Sequence, residues 1–329
     1  MLFSGVPRVR LLEEPTPLHR LTRLGEAWGH PRLYIKRDDV MPQALAGNKV
    51  RSAEFWFGDA LAKSADLILV AGRLPSNQCR VVAAISCILG LECHVIHNGE
   101  PSSEPKGNQL LHNLMGVKQI MLGPVSDEER GQHLEAYAAE MLASGRKPCI
   151  ISDPVLAALG YVRAALELNE QAESKGYDIR HLVICGSAGP TEAGLLWGAA
   201  LLGRSFTVHT PSVEYPADEI RETTLDICRS ISTRLGFTPS VDPAEILVNS
   251  DDFLGEGYDI PTAESLQVVR ELAALEGIFI ESTYNAKVFA SLKATLANGE
   301  IPKDEGICIF HTGGVPALFG QGERFVHTP

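Results

Sequence analysis

Residues 66–97 read DLILVAGRLPSNQCRVVAAISCILGLECHVIH and contain a strand, a helix and a second strand in close succession. The first apolar run, 66–72, ends in glycine and has no polar alternation, which is typical of a strand buried on both faces of a sheet. A helical segment over 79–90 ends at Gly90, and another apolar run follows at 92–97. Short β-α-β units of this kind favour parallel strands covered by helices.

The same alternation continues on both sides of this stretch. Further strands are predicted at 32–39, 118–123, 147–152, 181–186, 205–213 and 305–314, and helices at 50–63, 107–116, 126–145, 160–176, 192–203 and 261–277. The helix that opens at Ser126 has a hydroxyl cap followed by three acidic residues. We therefore expect an α/β protein with two open parallel-sheet lobes and a seam near 140–160.

Length and composition limit the classes of protein to consider. A chain of 329 residues suggests about two domains. The formal net charge of -12 argues against nucleic acid or an anionic membrane as a partner, since both need basic patches. No run has the length of a membrane span or the apolar core of a signal peptide, so we expect a cytoplasmic protein.

The cysteines and histidines give no sign of a metal site. The seven cysteines form no C-x-x-C pair, and the ten histidines form no H-E-x-x-H motif. Most of the cysteines lie in apolar runs. We expect them to be reduced, buried and small hydrophobic side chains in a reducing compartment.

The segment CGSAGPTEAGL, residues 185–195, predicts an anion site. A buried strand ends there, a turn of small residues follows, and a helix begins. Such a turn directs unpaired backbone N–H groups outward, and the helix dipole adds partial positive charge, so a phosphate fits. The alternative interpretation is a strand-to-helix turn that binds nothing.

Two more turns follow predicted strands. Residues 73–80, RLPSNQCR, place Ser76 and Asn77 where a helix begins, either as simple caps or as a site for a substrate carboxylate. In 310–320, FHTGGVPALFG, Thr312 follows a strand at the edge where ligands of parallel sheets collect. Its alternative role is to cap a tight turn.

Lys49 and Tyr284 complete the set of candidate side chains. Lys49 lies in ALAGNKVRSAEF, residues 44–55, where a turn becomes a helix, and Tyr284 lies in STYNAK, residues 282–287. Alone, each residue fits an ordinary surface or packing role. Together with a phosphate site and a Ser-Asn turn, they suggest a Schiff-base cofactor site, because a desolvated amine can attack an aldehyde.

The chain resembles the pyridoxal-phosphate enzymes that include D-cysteine desulfhydrase, 1-aminocyclopropane-1-carboxylate deaminase and L-cysteate sulfo-lyase. The similarity runs nearly from end to end through PTPLHRL (15–21), YIKRDD (34–39), GNKVR (47–51), SNQ (76–78), KGNQLL (106–111), LGYVRAALEL (159–168), AGL (193–195) and HTGGVPALFG (311–320). It implies the tryptophan-synthase-β-like fold (fold type II of these enzymes), with a larger domain of residues 1–48 and 160–329 and a smaller one of 49–159. It also implies a homodimer.

The resemblance also implies roles for individual residues. Lys49 matches the lysine that bonds to the cofactor, and Tyr284 matches a tyrosine of proton transfer. The implied cofactor-binding residues are Asn48, Lys49, Asn77, Ser187, Ala188, Gly189, Thr191 and Thr312. The implied substrate-binding residues are Ser76, Asn77, Gln78 and Tyr284, with Ser76 also among the catalytic residues beside Lys49 and Tyr284.

The sequence departs from the family pattern at several points, among them Ala44–Ala46 in place of a glycine-rich run before Lys49 and Tyr284-Asn285-Ala286-Lys287 in place of an aromatic-Gly-Lys pattern. Gln78 replaces a histidine, Pro190 enters the phosphate turn, and Asn285 replaces the glutamate that faces the pyridine nitrogen in the deaminases. We expect a lyase that eliminates thiolate from a small amino acid, D-cysteine first, with pyruvate and ammonia as the other products. The alternatives are the deaminase, the sulfo-lyase, or an idle protein that binds pyridoxal phosphate.

Overall fold

Residues 2–203 and 206–326 are described by the computed structural model, and they form two β-sheets covered by α-helices. The strands are β1 Leu18–Arg20, β2 Leu33–Arg37, β3 Leu67–Ala71, β4 Glu92–His97, β5 Lys118–Met121, β6 Pro148–Ile150, β7 Ile179–Val183, β8 Thr207–Pro211, β9 Leu247–Ser250 and β10 Gly306–His311. The two sheets confirm the predicted α/β class.

The helices alternate with these strands along most of the chain. They are α1 Thr22–Ala27, α2 Asn48–Ala62, α3 Asn77–Leu89, α4 Gly107–Met115, α5 Asp127–Ala143, α6 Pro154–Lys175, α7 Pro190–Leu201, α8 Ala217–Leu235, α9 Pro243–Ile246, α10 Ala263–Glu276, α11 Asn285–Ala297 and α12 Val315–Leu318. Within 2–203 and 206–326, none of them combines the length and apolar character that a bilayer-spanning segment needs.

The strands divide into a larger and a smaller sheet. The six-stranded sheet has the order β1-β2-β10-β7-β8-β9, and the four-stranded sheet has the order β5-β4-β3-β6. All pairings are parallel except the edge pair of β1 and β2, where His19 lies opposite Ile35, so the larger sheet is mixed at one edge. The strands between 67 and 150 form the smaller sheet, while the domain boundaries at 48/49 and 159/160 remain a prediction.

Strand β10 forms the centre of the larger sheet. All six of its residues are buried, and Ile309 pairs with Ile35 of β2 on one side and Val183 of β7 on the other. A strand with both neighbours parallel and both faces covered needs apolar residues throughout, which explains the run Ile307–Phe310. The carboxyl ends of β7 and β10 therefore lie side by side at one edge.

Helix α6 holds α2 and α7 close together. A Cβ on Gly194 of α7 would lie 2.1 Å from the Ala158 carbonyl oxygen, and one on Gly160 would lie 2.5 Å from the Arg51 backbone. Only glycine permits these approaches, because a side chain at either position would overlap a neighbouring backbone. The amino ends of α2 and α7 are thereby fixed relative to each other.

A buried ionic network anchors α2 to the larger sheet. Arg51 bonds Asp38 at 2.8 Å and Glu167 at 2.9 Å, while Lys36 also donates to Glu167 and Tyr161 donates to Asp38 at 2.6 Å. Burial alone raises the pKa of Glu167, but the hydrogen bonds and charges of Arg51 and Lys36 lower it to about 2. The network lies two residues beyond Lys49 and holds its helix in place.

The cysteines are free thiols, as expected. Most are buried, but Cys87 is exposed near the end of α3 and Cys149 is half-buried. The expectation of uniform burial is therefore wrong at Cys87, because the outer face of α3 is turned to solvent there.

Candidate active site

A cleft between the two sheets gathers the residues that the sequence singles out. All of the predicted site residues except Gly189 line it, namely Asn48, Lys49, Ser76, Asn77, Gln78, Ser187, Ala188, Thr191, Tyr284 and Thr312. Residues 76–78, 187–191 and Thr312 follow the carboxyl ends of β3, β7 and β10, the position where ligands of parallel sheets bind, while Asn48, Lys49 and Tyr284 stand at the beginnings of α2 and α11. Gly189 is buried directly behind this wall, just before α7.

Lys49 is the second residue of α2 and is half-buried against the cleft. Burial lowers the pKa of its amine, and the charge of Glu192 partly opposes that shift. A lysine with a lowered pKa holds more of its free-base form near neutral pH, which is the form that attacks an aldehyde.

The loop before Lys49 is strained. Ala44, Leu45 and Ala46 have φ values of 54°, 55° and 64°, and Ala46 combines its φ with a ψ of -175°. That last combination is a region normally populated by glycine. Arg80 donates to the Ala46 carbonyl oxygen at 3.1 Å, so a buried guanidinium holds the strained turn.

Asn48 connects the lysine helix to the beginning of α7. Its side-chain amide donates to Thr191 Oγ1 at 3.0 Å, and its backbone amide donates to the Thr312 carbonyl oxygen at 2.9 Å. Lys49 is therefore fixed beside the 187–191 turn on one side and the 312–314 turn on the other.

The turn before α7 has the backbone geometry of an anion site and already contains a carboxylate. Gly189 takes a φ of 99°, and Pro190 opens the helix. The amides of Ser187 and Gly189 both donate to Glu192 Oε1, at 2.7 and 3.0 Å. Burial raises the pKa of Glu192, while the backbone amides and Lys49 oppose the shift.

The Ser-Asn-Gln turn begins α3 and faces the same cleft. Ser76 caps the helix by accepting a hydrogen bond from the Cys79 amide at 3.2 Å, so the capping role is present. Asn77 accepts from the Asn108 side chain at 2.9 Å, and Gln78 donates to the Ile151 carbonyl oxygen at 3.4 Å. These bonds orient the turn while its side chains still line the cleft.

A pair of tyrosines forms another part of the wall. The hydroxyl of Tyr284 lies 2.5 Å from that of Tyr258, and the guanidinium of Arg73 lies 4.6 Å from the Tyr258 ring centre. Burial raises the pKa of Tyr284 well above its usual value and that of Tyr258 to about 12. Both phenols therefore keep their protons at neutral pH.

Asn285 is buried at the base of the cleft. Its Oδ1 accepts from the backbone amide and the hydroxyl of Thr312 at 3.1 and 3.2 Å, and its Nδ2 donates to Glu281 at 3.2 Å. Glu281 also accepts from the amides that begin α11, and its burial raises the pKa of the carboxyl. The side-chain amide of Asn285 thus connects Thr312 to the buried carboxyl group of Glu281.

Sequence reasoning missed several residues of the cleft. These are Arg73, Asp127, Arg130, Cys185, Glu192, Glu214, Tyr215, Tyr258, Glu281 and Gly313. Arg73 lies in the candidate segment 73–80 and Glu192 in the candidate segment 185–195. Their position beside a candidate turn is therefore a sequence signal that could identify them. Tyr258 lies in an irregular loop, and only tertiary structure brings it to Tyr284. Lys287, noted beside Tyr284, points away and donates to the Leu254 and Gly257 carbonyl oxygens.

Comparison with known proteins gives a consistent family. The pyridoxal-phosphate dependent enzyme family model matches residues 9–313. D-cysteine desulfhydrases from Yersinia enterocolitica and Yersinia pestis are 36% and 35% identical over 325 residues, covering 96% of each chain. A crystal structure of an ACC deaminase homologue is similar with a TM-score of 0.89 and 30% identity over 99% of this chain and 97% of the other. O-ureido-L-serine synthase, at 18% identity and a TM-score of 0.67, shares the fold.

The residues of the cleft fit pyridoxal 5′-phosphate. An amine with a lowered pKa, at Lys49, lies beside a helix amino end with a threonine hydroxyl, and the two are joined through Asn48. The backbone amides of Ser187 and Gly189 in this turn donate to Glu192. Whether they can also donate to a phosphate depends on the position and ionisation of the Glu192 side chain. The chain belongs to the pyridoxal-phosphate dependent enzyme family, as a lyase with pyridoxal 5′-phosphate as its cofactor.

Proposed function

We propose that the chain is a D-cysteine desulfhydrase, which converts D-cysteine and water to pyruvate, ammonia and hydrogen sulfide. The observation that carries this proposal is that Lys49, an amine with a lowered pKa, and Tyr284, a protonated phenol paired with Tyr258 at 2.5 Å, line the same cleft. The D-cysteine desulfhydrases at 35–36% identity support the choice of substrate.

Lys49 is the proposed point of cofactor attachment and the base that removes the α proton. Its lowered pKa favours the free amine, which suits both tasks. Bound pyridoxal 5′-phosphate supplies an aldehyde for the amine and a ring that takes up the electrons left at the α carbon. The 187–191 turn, with Thr191, is the proposed holder of the phosphate, and Thr312 is the residue that would lie beside the ring.

Tyr284 is the proposed proton donor to the departing sulfur. Because its pKa is raised well above the usual range, the phenol keeps its proton at neutral pH and can donate it in a hydrogen bond to the sulfur as negative charge develops there. Tyr258 holds the hydroxyl through the 2.5 Å contact. In a substrate of the opposite chirality, the α proton lies on the other face of the α carbon. Tyr284 is then the proposed group on the face of that proton.

Ser76, Asn77 and Gln78 are the proposed holders of the substrate carboxylate. They lie at the amino end of α3, where backbone N–H groups and the helix dipole favour a negative group. Gln78 carries no charge in the working pH range, so this site recognises the carboxylate without a titrating imidazole.

The charges of the cleft favour a neutral substrate side chain. Four acidic residues line it, Asp127, Glu192, Glu214 and Glu281, against the three basic residues Lys49, Arg73 and Arg130. Arg73 is already paired with Asp127 at 2.7 Å and approaches Glu214 at 3.6 Å. Arg130 also bonds Asp127, at 2.6 Å. A sulfonate, as in L-cysteate, therefore has to compete with these carboxylates for the two arginines, whereas a thiol needs no cation.

The test is a comparison of substrates on the purified, cofactor-loaded enzyme. D-Cysteine, L-cysteine, L-cysteate and 1-aminocyclopropane-1-carboxylate are supplied in turn, while sulfide, sulfite, pyruvate and 2-oxobutanoate are measured. We expect sulfide and pyruvate in equal amounts, with the highest kcat/KM for D-cysteine. A higher kcat/KM for another compound contradicts the substrate, and a loaded enzyme inactive on all four contradicts the lyase function.

We also propose a cytoplasmic homodimer. A groove beside the site exposes the large apolar side chains Leu45, Leu110, Phe279 and Phe319, the last of them 77% exposed. Exposed apolar groups gathered in one patch are typical of protein contacts. Analytical ultracentrifugation of the wild type and of Phe319→Asp tests this: we expect a dimer that the substitution weakens, and a monomeric wild type contradicts it.

A further inference from the structure

Glu192 occupies the part of the 187–191 turn that has the strongest hydrogen-bond donors for an anion. Its Oε1 accepts from the Ser187 amide at 2.7 Å and from the Gly189 amide at 3.0 Å. Its side chain is 2% exposed, so the carboxylate is held inside the protein. Pro190 has no N–H, which leaves fewer alternative donors at the beginning of α7.

We propose that Glu192 is an internal competitor for the cofactor phosphate, and that its carboxylate must give up the Ser187 and Gly189 amides before pyridoxal 5′-phosphate is held tightly. The inference rests on the placement of the phosphate at the beginning of α7 in the proposed function. It does not depend on the choice of substrate.

The competition follows from charge and from the number of donors. A carboxylate and a phosphate are both acceptors, so one amide hydrogen cannot serve both at full strength. An ionised Glu192 beside the phosphate also places two like charges in a buried turn, which disfavours the pair. Neutral Glu192 relieves the repulsion and can donate its own proton to a phosphate oxygen.

The charged and titratable groups that face Glu192 come from three other elements. Lys49 lies on α2, Cys185 follows β7, and Cys228 lies on α8. Burial raises the pKa of both thiols, which keeps them neutral, so Lys49 is the one cation among these three residues. Glu214 approaches the same turn by accepting from the Ser187 hydroxyl at 2.9 Å and not from its amide.

The sign of the pH effect follows from ionisation. The ionised fraction of Glu192 rises with pH, so competition with the phosphate grows as pH rises. Cofactor affinity of the wild type should then weaken with rising pH relative to a variant that cannot ionise at this position. Burial raises the pKa of Glu192, which moves this change toward neutral pH.

The experiment measures binding of inorganic phosphate and of pyridoxal 5′-phosphate to the cofactor-free chain, with Glu192→Gln as the main variant. Glutamine keeps the length of the side chain and an oxygen for the amides, so the helix start is retained. We expect about tenfold tighter binding of both probes by the variant near pH 8, with a ratio that shrinks toward pH 6. Inorganic phosphate has no aldehyde and cannot form a covalent bond with Lys49. Its affinity therefore reports phosphate binding at the 187–191 turn without that bond.

Glu214→Gln is the matched control, because it removes a negative charge from the same cleft at a carboxylate that accepts from the Ser187 hydroxyl and not from the backbone amides. We expect it to change phosphate affinity much less than Glu192→Gln. An equal gain in the two variants overturns the proposal, since a general charge effect then explains it. An unchanged affinity in Glu192→Gln, or a ratio independent of pH, also overturns it.

Thr191→Ala separates this inference from the placement of the phosphate. If Thr191→Ala weakens binding of both probes while Glu192→Gln does not strengthen it, the placement stands and the competition is wrong. If Thr191→Ala has no effect, the phosphate is not held at this turn, and both ideas fail. Thermal unfolding of each cofactor-free variant checks that the fold is intact.

Discussion

The hydroxyl oxygens of Tyr258 and Tyr284 lie 2.5 Å apart across the wall of the cleft, although 26 residues separate them in sequence. One phenol donates to the other, so a proton lies between the two oxygens. The guanidinium of Arg73 lies 4.6 Å from the centre of the Tyr258 ring and packs against the pair.

This pair leads to a prediction about turnover. Tyr284→Phe should lower kcat with D-cysteine by about 10²- to 10⁴-fold, because the proton donor is lost while cofactor binding is kept. Tyr258→Phe should lower kcat less, since Tyr284 keeps its proton but loses its partner. Steady-state kinetics with the cofactor absorption band as a loading check measure both. Tyr177→Phe, far from the cleft, is the control, and near-normal kcat in Tyr284→Phe contradicts the assigned role.

The strained loop before Lys49 predicts a stabilising substitution. Ala46 has φ 64° and ψ -175°, where a non-glycine residue costs about 1–3 kcal/mol. Ala46→Gly removes this strain but adds entropy to the unfolded chain, so we expect a net gain of about 1 kcal/mol. Urea unfolding gives the value. Ala60→Gly inside α2 is the control and should lose stability; a loss at Ala46→Gly as well would show that the loop is not strained.

The network around Glu167 predicts how stability depends on pH. The folded-state pKa of about 2 lies below the ordinary value of 4.5, so this carboxylate stabilises the fold fully above pH 4.5 and loses its effect as pH falls toward 2. Glu167→Gln should cost about 3 kcal/mol at neutral pH, because Arg51 and Lys36 lose a buried partner.

Unfolding of this variant is measured by urea at neutral pH and again between pH 5 and 2. The stability difference from wild type should shrink as the pH approaches 2. Glu170→Gln, exposed on the same helix, should stay within about 0.5 kcal/mol of wild type. A constant difference across the range would mean that ionisation of Glu167 does not stabilise the fold.

The contact between α6 and α7 predicts a severe packing defect. Gly194→Ala places a methyl group 2.1 Å from the Ala158 carbonyl oxygen, so the helices must separate, at a cost of about 2–3 kcal/mol or more. Gly131→Ala in α5 has open space and should instead gain up to about 1 kcal/mol from helix propensity. Thermal unfolding of both variants compares them. Equal stability in the two would contradict the close packing.

Much of the fold was predictable from local patterns. The strand Glu92–His97 has the predicted bounds, and the Ser126 cap of α5 is confirmed by the bond from the Glu129 amide. These features depend on residues that are neighbours in the sequence, so local patterns are enough to predict them. Helix α6 begins six residues before the prediction because Asp153 caps it and Pro154 opens it, a start signal that apolar periodicity does not include.

The site was predictable only in part for a physical reason. Short segments such as 76–78 and 187–191 combine strand ends with turn residues, and parallel strands bring such ends together. Tyr258 and Glu281 depend on long-range packing and on hydrogen bonds to α11 that no local pattern encodes. Glu192 stands at an ordinary helix position, and its function as an acceptor becomes visible only from the distances to Ser187 and Gly189.

The central claim is that Lys49 binds the cofactor covalently. Cofactor-free protein is incubated with pyridoxal 5′-phosphate, reduced with borohydride and digested, and the modified lysine is located by mass spectrometry. We predict one cofactor per chain, attached to Lys49, and none in Lys49→Ala. Attachment to another lysine, such as the buried Lys287, or no attachment at all would contradict the account.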